Sequence, residues 1–288
     1  MGAEMIVIGA TGRLGRMFQA IWKDRADVVW QCRRDAPAGW LQWDILAEPC
    51  PSGAIAPGSV VLCLAGVTRG DAAALSLNRT LALAVCRAAA EAGAAQLLIA
   101  SSIAVYGPVR SGGAPFREED PAAPQNPYGR AKAEMEDAVL RWHADAGPQA
   151  PGVTLLRIGN VIGADALIGG AGVAEVVLDP VPGQAGGPQR AAIGPVALAR
   201  VLEGLAARAQ GGHGLPELLN IAAPGAVAMA DLLEAAGLSW RYGPENPHVL
   251  ARAAMDTSRL ESLLPGLAGA GSAAGMVAEW RSLAGGLV

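Results

Sequence analysis

Short apolar runs alternate with longer segments of helical periodicity through the first half of this chain, and that alternation admits few folds. Met5–Gly9 reads as a strand, Leu14–Arg25 carries apolar residues at helical spacing, and Val28–Cys32 is a second strand. Ser59–Ala65 is continuously apolar, as a strand covered on both faces must be. Asn78–Ala92 predicts a helix and Gln96–Ser101 a strand. Tyr128–Ala144, introduced by Asn126-Pro127, predicts another helix, and Val153–Arg157 another strand. Strands separated by helices need crossover connections, and these are right-handed. The expected fold class is therefore α/β, a Rossmann-type doubly wound parallel sheet.

After Arg157 the pattern loosens. Gly159–Gln189 is rich in Gly, Ala and Pro, with one apolar stretch at Val173–Leu178. Pro195–Ala209 predicts a helix, Leu218–Ile221 a short strand and Ala230–Ala236 a helix; the remainder to Val288 mixes loops with short helical pieces. No clean linker divides the chain, so a smaller C-terminal domain is expected to interleave with the first. Residues 1–158 plus about 186–222 are assigned to the larger domain, and 159–185 plus 223–288 to the smaller.

Composition narrows the function. An apolar content of 52% supports a buried core, while only 4% aromatic residues and a net charge of −4 exclude a base-stacking, phosphate-binding nucleic-acid platform. The apolar segment Leu81–Ala95 is interrupted by Arg87 and Glu91, so no membrane span is expected. The chain enters a strand almost at once, which argues against a signal peptide. Cys32, Cys50, Cys63 and Cys86 form no C-x-x-C pair and read as reduced thiols in a cytoplasmic protein. His143, His213 and His248 are too scattered for a metal site, and none is expected.

Gly9-Ala10-Thr11-Gly12-Arg13-Leu14-Gly15 follows a strand and opens a helix, the context in which such glycines hold a pyrophosphate. Glycine permits positive φ and close backbone approach, and the helix N-terminus offers N–H donors. A dinucleotide fold that prefers NAD usually has an acidic residue after the second strand. Here Cys32-Arg33-Arg34-Asp35 stands there, so Arg33 and Arg34 are expected to clamp a 2′-phosphate; NADP is favoured and NAD is the alternative. Asp44 and Ile45 fall at a position suited to the adenine edge.

Tyr128 and Lys132 are four residues apart in a predicted helix, on one face and about 6 Å apart along the axis. A neighbouring ammonium favours the phenolate and makes tyrosine a usable acid or base. Ser101 and Ser102 close a predicted strand at the carboxyl end, where open α/β sheets bind ligands. A Ser102 hydroxyl there can hydrogen-bond a reacting oxygen.

With these stretches in order, the chain resembles the extended short-chain dehydrogenase/reductases, in their NAD(P)-dependent epimerase/dehydratase branch. The matching segments are Gly9–Gly15, Leu64-Ala65-Gly66, Ser101–Gly107, Asn126–Glu134 and Leu156–Val161, with weaker echoes at Gln189–Ala199, Leu219–Ile221 and Met255–Arg259. The resemblance implies that Ser102, Tyr128 and Lys132 are the catalytic trio and that Leu64, Ala65 and Gly66 line the nicotinamide ribose. It implies also that Asn78 lies near the site, that Gly159 touches the nicotinamide, and that Asn160 faces the substrate. Arg190 would hold a nucleotide-sugar diphosphate, and the helices Asn78–Ala92 and Tyr128–Ala144 would form a homodimer.

The match has departures. Family dehydratases carry an Asp-Glu pair where this chain has Ile103 and Ala104, which transfer no protons. Residues 159–189 contain no Lys or Arg, and no His stands near Arg190. The expected function is epimerase-like hydride chemistry on a small sugar or sugar-nucleotide substrate. The alternatives are an NADPH-dependent ketoreductase or dehydrogenase, and a non-catalytic NADP(H)-sensing protein.

Overall fold

The structure, a computed structural model, describes residues 5–107, 113–170 and 175–283. Its centre is a seven-stranded sheet. β1 (Met5–Ile8), β2 (Val28–Cys32), β3 (Leu41–Gln42), β4 (Val60–Cys63), β5 (Gln96–Ser102) and β6 (Gly152–Ile158) are joined by the strand Leu218–Ile221. The spatial order is Leu218–Ile221, β6, β5, β4, β1, β2, β3, the reversal of a doubly wound sheet. β1 pairs in parallel with both β2 and β4, and β4 with β5. Met5–Ile8 and Val60–Cys63 are buried throughout, which explains their unbroken apolar runs.

The helices follow their caps. α1 spans Arg13–Ile21. α2 spans Ala72–Glu91 and starts six residues before the apolar periodicity, because the Asp71 carboxylate accepts from Ala74 N at 2.8 Å. α3 spans Pro127–Ala146: Pro127 fills the first turn and the Asn126 side chain accepts from Gly129 N at 2.8 Å. α4 spans Pro195–Gln210.

The chain divides into two compact units. The first comprises Met1–Gly107, Ala122–Arg157 and Glu203–Leu219; the second comprises Pro108–Pro121, Ile158–Leu202 and Asn220–Val288. In the first, Ile6, Val61, Leu97 and Leu155 of the sheet pack with Val85 and Cys86 of α2 and Met135 and Val139 of α3. At about 25 cal/mol per Å² of apolar area removed from water, such contacts supply the main force holding the two helices to the sheet. Cys32, Cys63 and Cys86 are buried free thiols, and Cys50 is a half-buried one.

The second unit has its own core, around Ile162, Ile168, Leu232, Met276 and Val277. Asn220 ties its separate segments together, donating to Phe116 O and Asp256 O at 3.0 Å each and, through its backbone N–H, to Glu118 Oε1 at 3.0 Å. Glu279 caps α4 from outside, accepting from Val196 N and Ala197 N at 3.0 Å. Of the apolar stretch Val173–Leu178, residues 173 and 174 lie outside the described residues; Val176–Leu178 pairs in parallel with Trp240–Tyr242. Residues 284–288 of the C-terminal remainder also lie outside them.

Candidate active site

The first βα turn is shaped for close backbone approach. Gly9 has φ +85°, and a Cβ there would come within 2.7 Å of Ala65 N. A Cβ on Gly15 would overlap the Ala10 carbonyl, so glycine lets α1 pack against the turn. Gly12 is the N-cap of α1 and supplies no side-chain hydrogen bond, leaving the first-turn amides to an incoming anion. Thr11, Gly12 and Arg13 are exposed and Leu14 is half-buried. These observations fit a dinucleotide pyrophosphate, which the turn and the α1 N-terminus would hold.

Sequence reasoning missed Gln31. Its side chain is buried in β2, accepting from Gly9 N at 2.8 Å and donating to Trp43 O at 2.6 Å. It thereby ties the glycine turn to the loop bearing Asp44 and Ile45, both half-buried. The available signal was an amide inside the apolar run Val28-Val29-Trp30-Gln31-Cys32. Beyond β2, Arg33 and Arg34 are exposed and form no ion pair among the described residues; Asp35 turns the chain with φ +51°.

The first unit brings the proposed trio together. Ser102 ends β5 in extended backbone and its Oγ accepts from Ala104 N at 3.2 Å, opening the turn Ile103–Val105. Its hydroxyl stands close enough to the half-buried Tyr128 phenol to favour the ionised form. Burial raises the Tyr128 phenol above its usual range, and the Ser102 hydroxyl offsets this only in part. The Lys132 ammonium is not among the groups that shift the phenol. The reason is where Lys132 goes: its Nζ donates to Ala100 O at 2.9 Å and lies 3.8 Å from Met135 Sδ.

Lys132 is 5% exposed, and burial pushes its ammonium down to about 8, against the raising influence of Cys63 and Glu136. It is one of two lysines in a chain whose other cationic side chains are arginines. Arginine stays charged wherever it is placed, whereas a buried lysine ammonium can release its proton. Leu64 and Ala65 are half-buried and Gly66 is exposed. A Cβ on Gly66 would stand 3.3 Å from Lys132 Nζ and 2.6 Å from Asn78 Oδ1, so the loop reaches the ammonium only as glycine. Asn78, 1% exposed, accepts from Val67 N at 3.1 Å and donates to Val67 O at 2.8 Å. Its carboxamide thus fixes this loop.

Gly159, Asn160 and Arg190 belong to the second unit. Gly159 N donates to Ile221 O at 2.9 Å, and a Cβ there would come within 2.8 Å of Ala191 O. The Asn160 backbone pairs with Ala192, and its half-buried side chain has no partner among the described residues. Arg190 is half-buried, its Nη1 donating to Gln189 O at 2.8 Å and Leu250 O at 2.7 Å. The other cations of this unit near the loose segment are engaged too: Arg241 pairs with Glu175 at 2.9 Å, and Arg252 donates to Gly113 O at 2.7 Å.

A doubly wound sheet, a glycine-lined phosphate turn and a Ser/Tyr/Lys group beside the β4 loop define a nicotinamide-dinucleotide-binding α/β protein. Residues 5–176 match the model of the NAD dependent epimerase/dehydratase family, and the chain belongs to that family of enzymes. A UDP-glucose 4-epimerase from Brucella ovis, solved in complex with NAD, is similar across 96% of each chain, with 18% identity and a TM-score of 0.78. A UDP-glucose 4-epimerase from Stenotrophomonas maltophila, with bound NAD and formylated UDP-arabinopyranose, is similar across 98% of each chain, with 19% identity and a TM-score of 0.77. In sequence, the Arabidopsis thaliana protein named "Putative UDP-arabinose 4-epimerase 2" is 37% identical over 83 residues, 29% of this chain. The matched stretch spans 19% of that relative's length.

Proposed function

We propose that the protein binds NADP and epimerises a sugar nucleotide by reversible hydride transfer at a carbinol carbon. The observation that carries the reading is the Ser102 hydroxyl beside the Tyr128 phenol, one helical turn from a buried lysine that meets the β4 loop. The Tyr128 oxygen would take the substrate hydroxyl proton and return it, while the Ser102 hydroxyl holds the same oxygen. Lys132 would bind the cofactor ribose and, once it faces the phenol, favour its ionised form. When bound, the nicotinamide supplies the hydride acceptor. Gly159 would touch the nicotinamide, Asn160 and Arg190 would contact the sugar and its diphosphate, and we take the second unit as the substrate-binding domain. Ile103 and Ala104 remove the carboxyl groups that dehydration needs.

The second reading, net reduction of a carbonyl compound with NADPH, is favoured by the exposed Arg33 and Arg34 and by the engagement of Arg190, Arg241 and Arg252. A screen of sugar nucleotides, free sugars, uronates and simple ketones separates the two. Interconversion of a sugar nucleotide without net consumption of added cofactor supports the epimerase. Stoichiometric NADPH oxidation with a ketone replaces it by the reductase. We also place the protein in the cytoplasm as a homodimer joined through α2 and α3, which sedimentation at rising salt and dilution would test.

The cofactor assignment has its own check. Arg33→Asp is expected to raise the NADP dissociation constant at least about tenfold, because an exposed clamp on a phosphate is lost and a repelling carboxylate replaces it. NAD affinity should stay the same or improve. An unchanged NADP-to-NAD ratio, measured by titration calorimetry, would show Arg33 to be a solvated surface charge.

A further inference from the structure

Behind the trio lies a buried ionic cluster with no part in the chemistry described so far. Glu136, one turn beyond Lys132 on α3, and Arg157, near the end of β6, are 3% and 4% exposed. Arg157 Nη2 donates to Glu136 Oε2 at 2.7 Å, and its Nε lies 3.1 Å from both carboxylate oxygens. The Ser101 hydroxyl, itself buried, donates to Glu136 Oε1 at 2.5 Å. The Arg157 guanidinium also lies 4.6 Å from the centre of the Tyr106 ring, on the chain just past the turn that Ser102 opens.

One carboxylate therefore receives a bond from the residue preceding Ser102 and sits on the helix that carries Tyr128 and Lys132. An ion pair buried this deeply is a weak source of stability, because desolvation offsets most of the attraction and apolar pairs of similar volume often do as well. Position distinguishes it.

We propose that Glu136, with Arg157 as its counter-ion, is a positioning residue: it holds Ser101, and so Ser102, against α3 and keeps negative charge beside the Lys132 ammonium. The inference rests on the Ser/Tyr/Lys reading above. Around Lys132 stand Cys63 from β4, the Ala100 carbonyl from β5, and Met135 and Glu136 from α3, with Arg157 from β6 bonded to Glu136. Burial lowers the ammonium, and Cys63 and Glu136 oppose that lowering. Removing the Glu136 charge takes away one of those supports, so the lysine gives up its proton more readily and Ser102 loses its fixed place.

The test uses two variants, Glu136→Gln and the double Glu136→Met/Arg157→Met. The single change leaves a buried arginine unpaired; the double one leaves no buried charge and carries the test if the single variant does not fold. Because the chain has only Lys23 and Lys132, ε-carbon-labelled lysine gives two NMR signals, with exposed Lys23 as internal reference. In the cofactor-free variants Lys132 should release its proton about tenfold more readily, with Lys23 unchanged. On substrate, kcat should fall about tenfold while the cofactor dissociation constant stays within about twofold. An unmoved Lys132 titration, or a moved one with full kcat, overturns the proposal and leaves the pair a structural brace. A wild-type protein that binds no nicotinamide dinucleotide defeats the functional reading instead, whatever the lysine signals do.

Discussion

Replacing Tyr128 with phenylalanine is expected to lower kcat at least about a hundredfold, the usual scale for a general acid–base group. The change deletes one hydroxyl from a half-buried ring, so the fold and the cofactor dissociation constant should be nearly unaffected. What goes is the phenol oxygen beside Ser102, the proposed route for the substrate hydroxyl proton. Measured turnover within a few-fold of wild type would remove Tyr128 from the reaction. The cofactor-free protein adds a second expectation. Burial raises the phenol above its usual range, so ultraviolet titration should show Tyr128 ionising later without cofactor than with it.

Lys132→Met should separate activity from stability. Loss of the ammonium is expected to cut kcat about a hundredfold or more and to weaken cofactor binding. Its effect on folding depends on pH. Below about pH 8 both the folded and unfolded chains carry the Lys132 proton, and the cost of burying the charge opposes folding in full. As pH rises from about 8 toward 10.5, the folded chain has released the proton while the unfolded chain still holds it, so wild-type stability climbs through that window. The methionine variant lacks this climb. The unfolding free energy of wild type relative to Lys132→Met should therefore grow by on the order of 3 kcal/mol across the window, measured by urea titration. The raised Cys63 thiol works in the opposite direction, since an acid kept neutral by burial loses stability as pH passes its unfolded value. Cys63 is present in both proteins, so the comparison isolates the lysine apart from their mutual coupling. A pH-independent difference would place Lys132 in solvent-like surroundings.

Much of the first unit was legible because its signals are local. The apolar runs of β1 and β4, the Gly9–Gly15 turn, and Asn126-Pro127 ahead of Tyr128 each state their structure within a few residues. α2 was read six residues short because Asp71 caps it across a stretch with no apolar period. β3 is only Leu41–Gln42 and leaves too few residues for a period of two to show. The second unit was less legible for a related reason. Pairs such as Asn160–Val161 with Ala192–Ile193 are two residues long, and Asn220 joins segments more than a hundred residues apart in sequence. Spacing placed Tyr128 and Lys132 on one helical face, yet it could not say that the ammonium turns inward to Ala100. Likewise the buried partners Gln31 and Glu136 act through backbone atoms and counter-ions far along the chain, which no local pattern encodes.

The most direct measurement mixes the protein, loaded with NADP or NAD, with a panel of sugar nucleotides and follows the near-ultraviolet band of reduced nicotinamide by stopped flow. A band that rises with at least one substrate and is missing with Tyr128→Phe is expected. A protein that binds the dinucleotide tightly and shows no band with any hydroxyl or carbonyl substrate would contradict it.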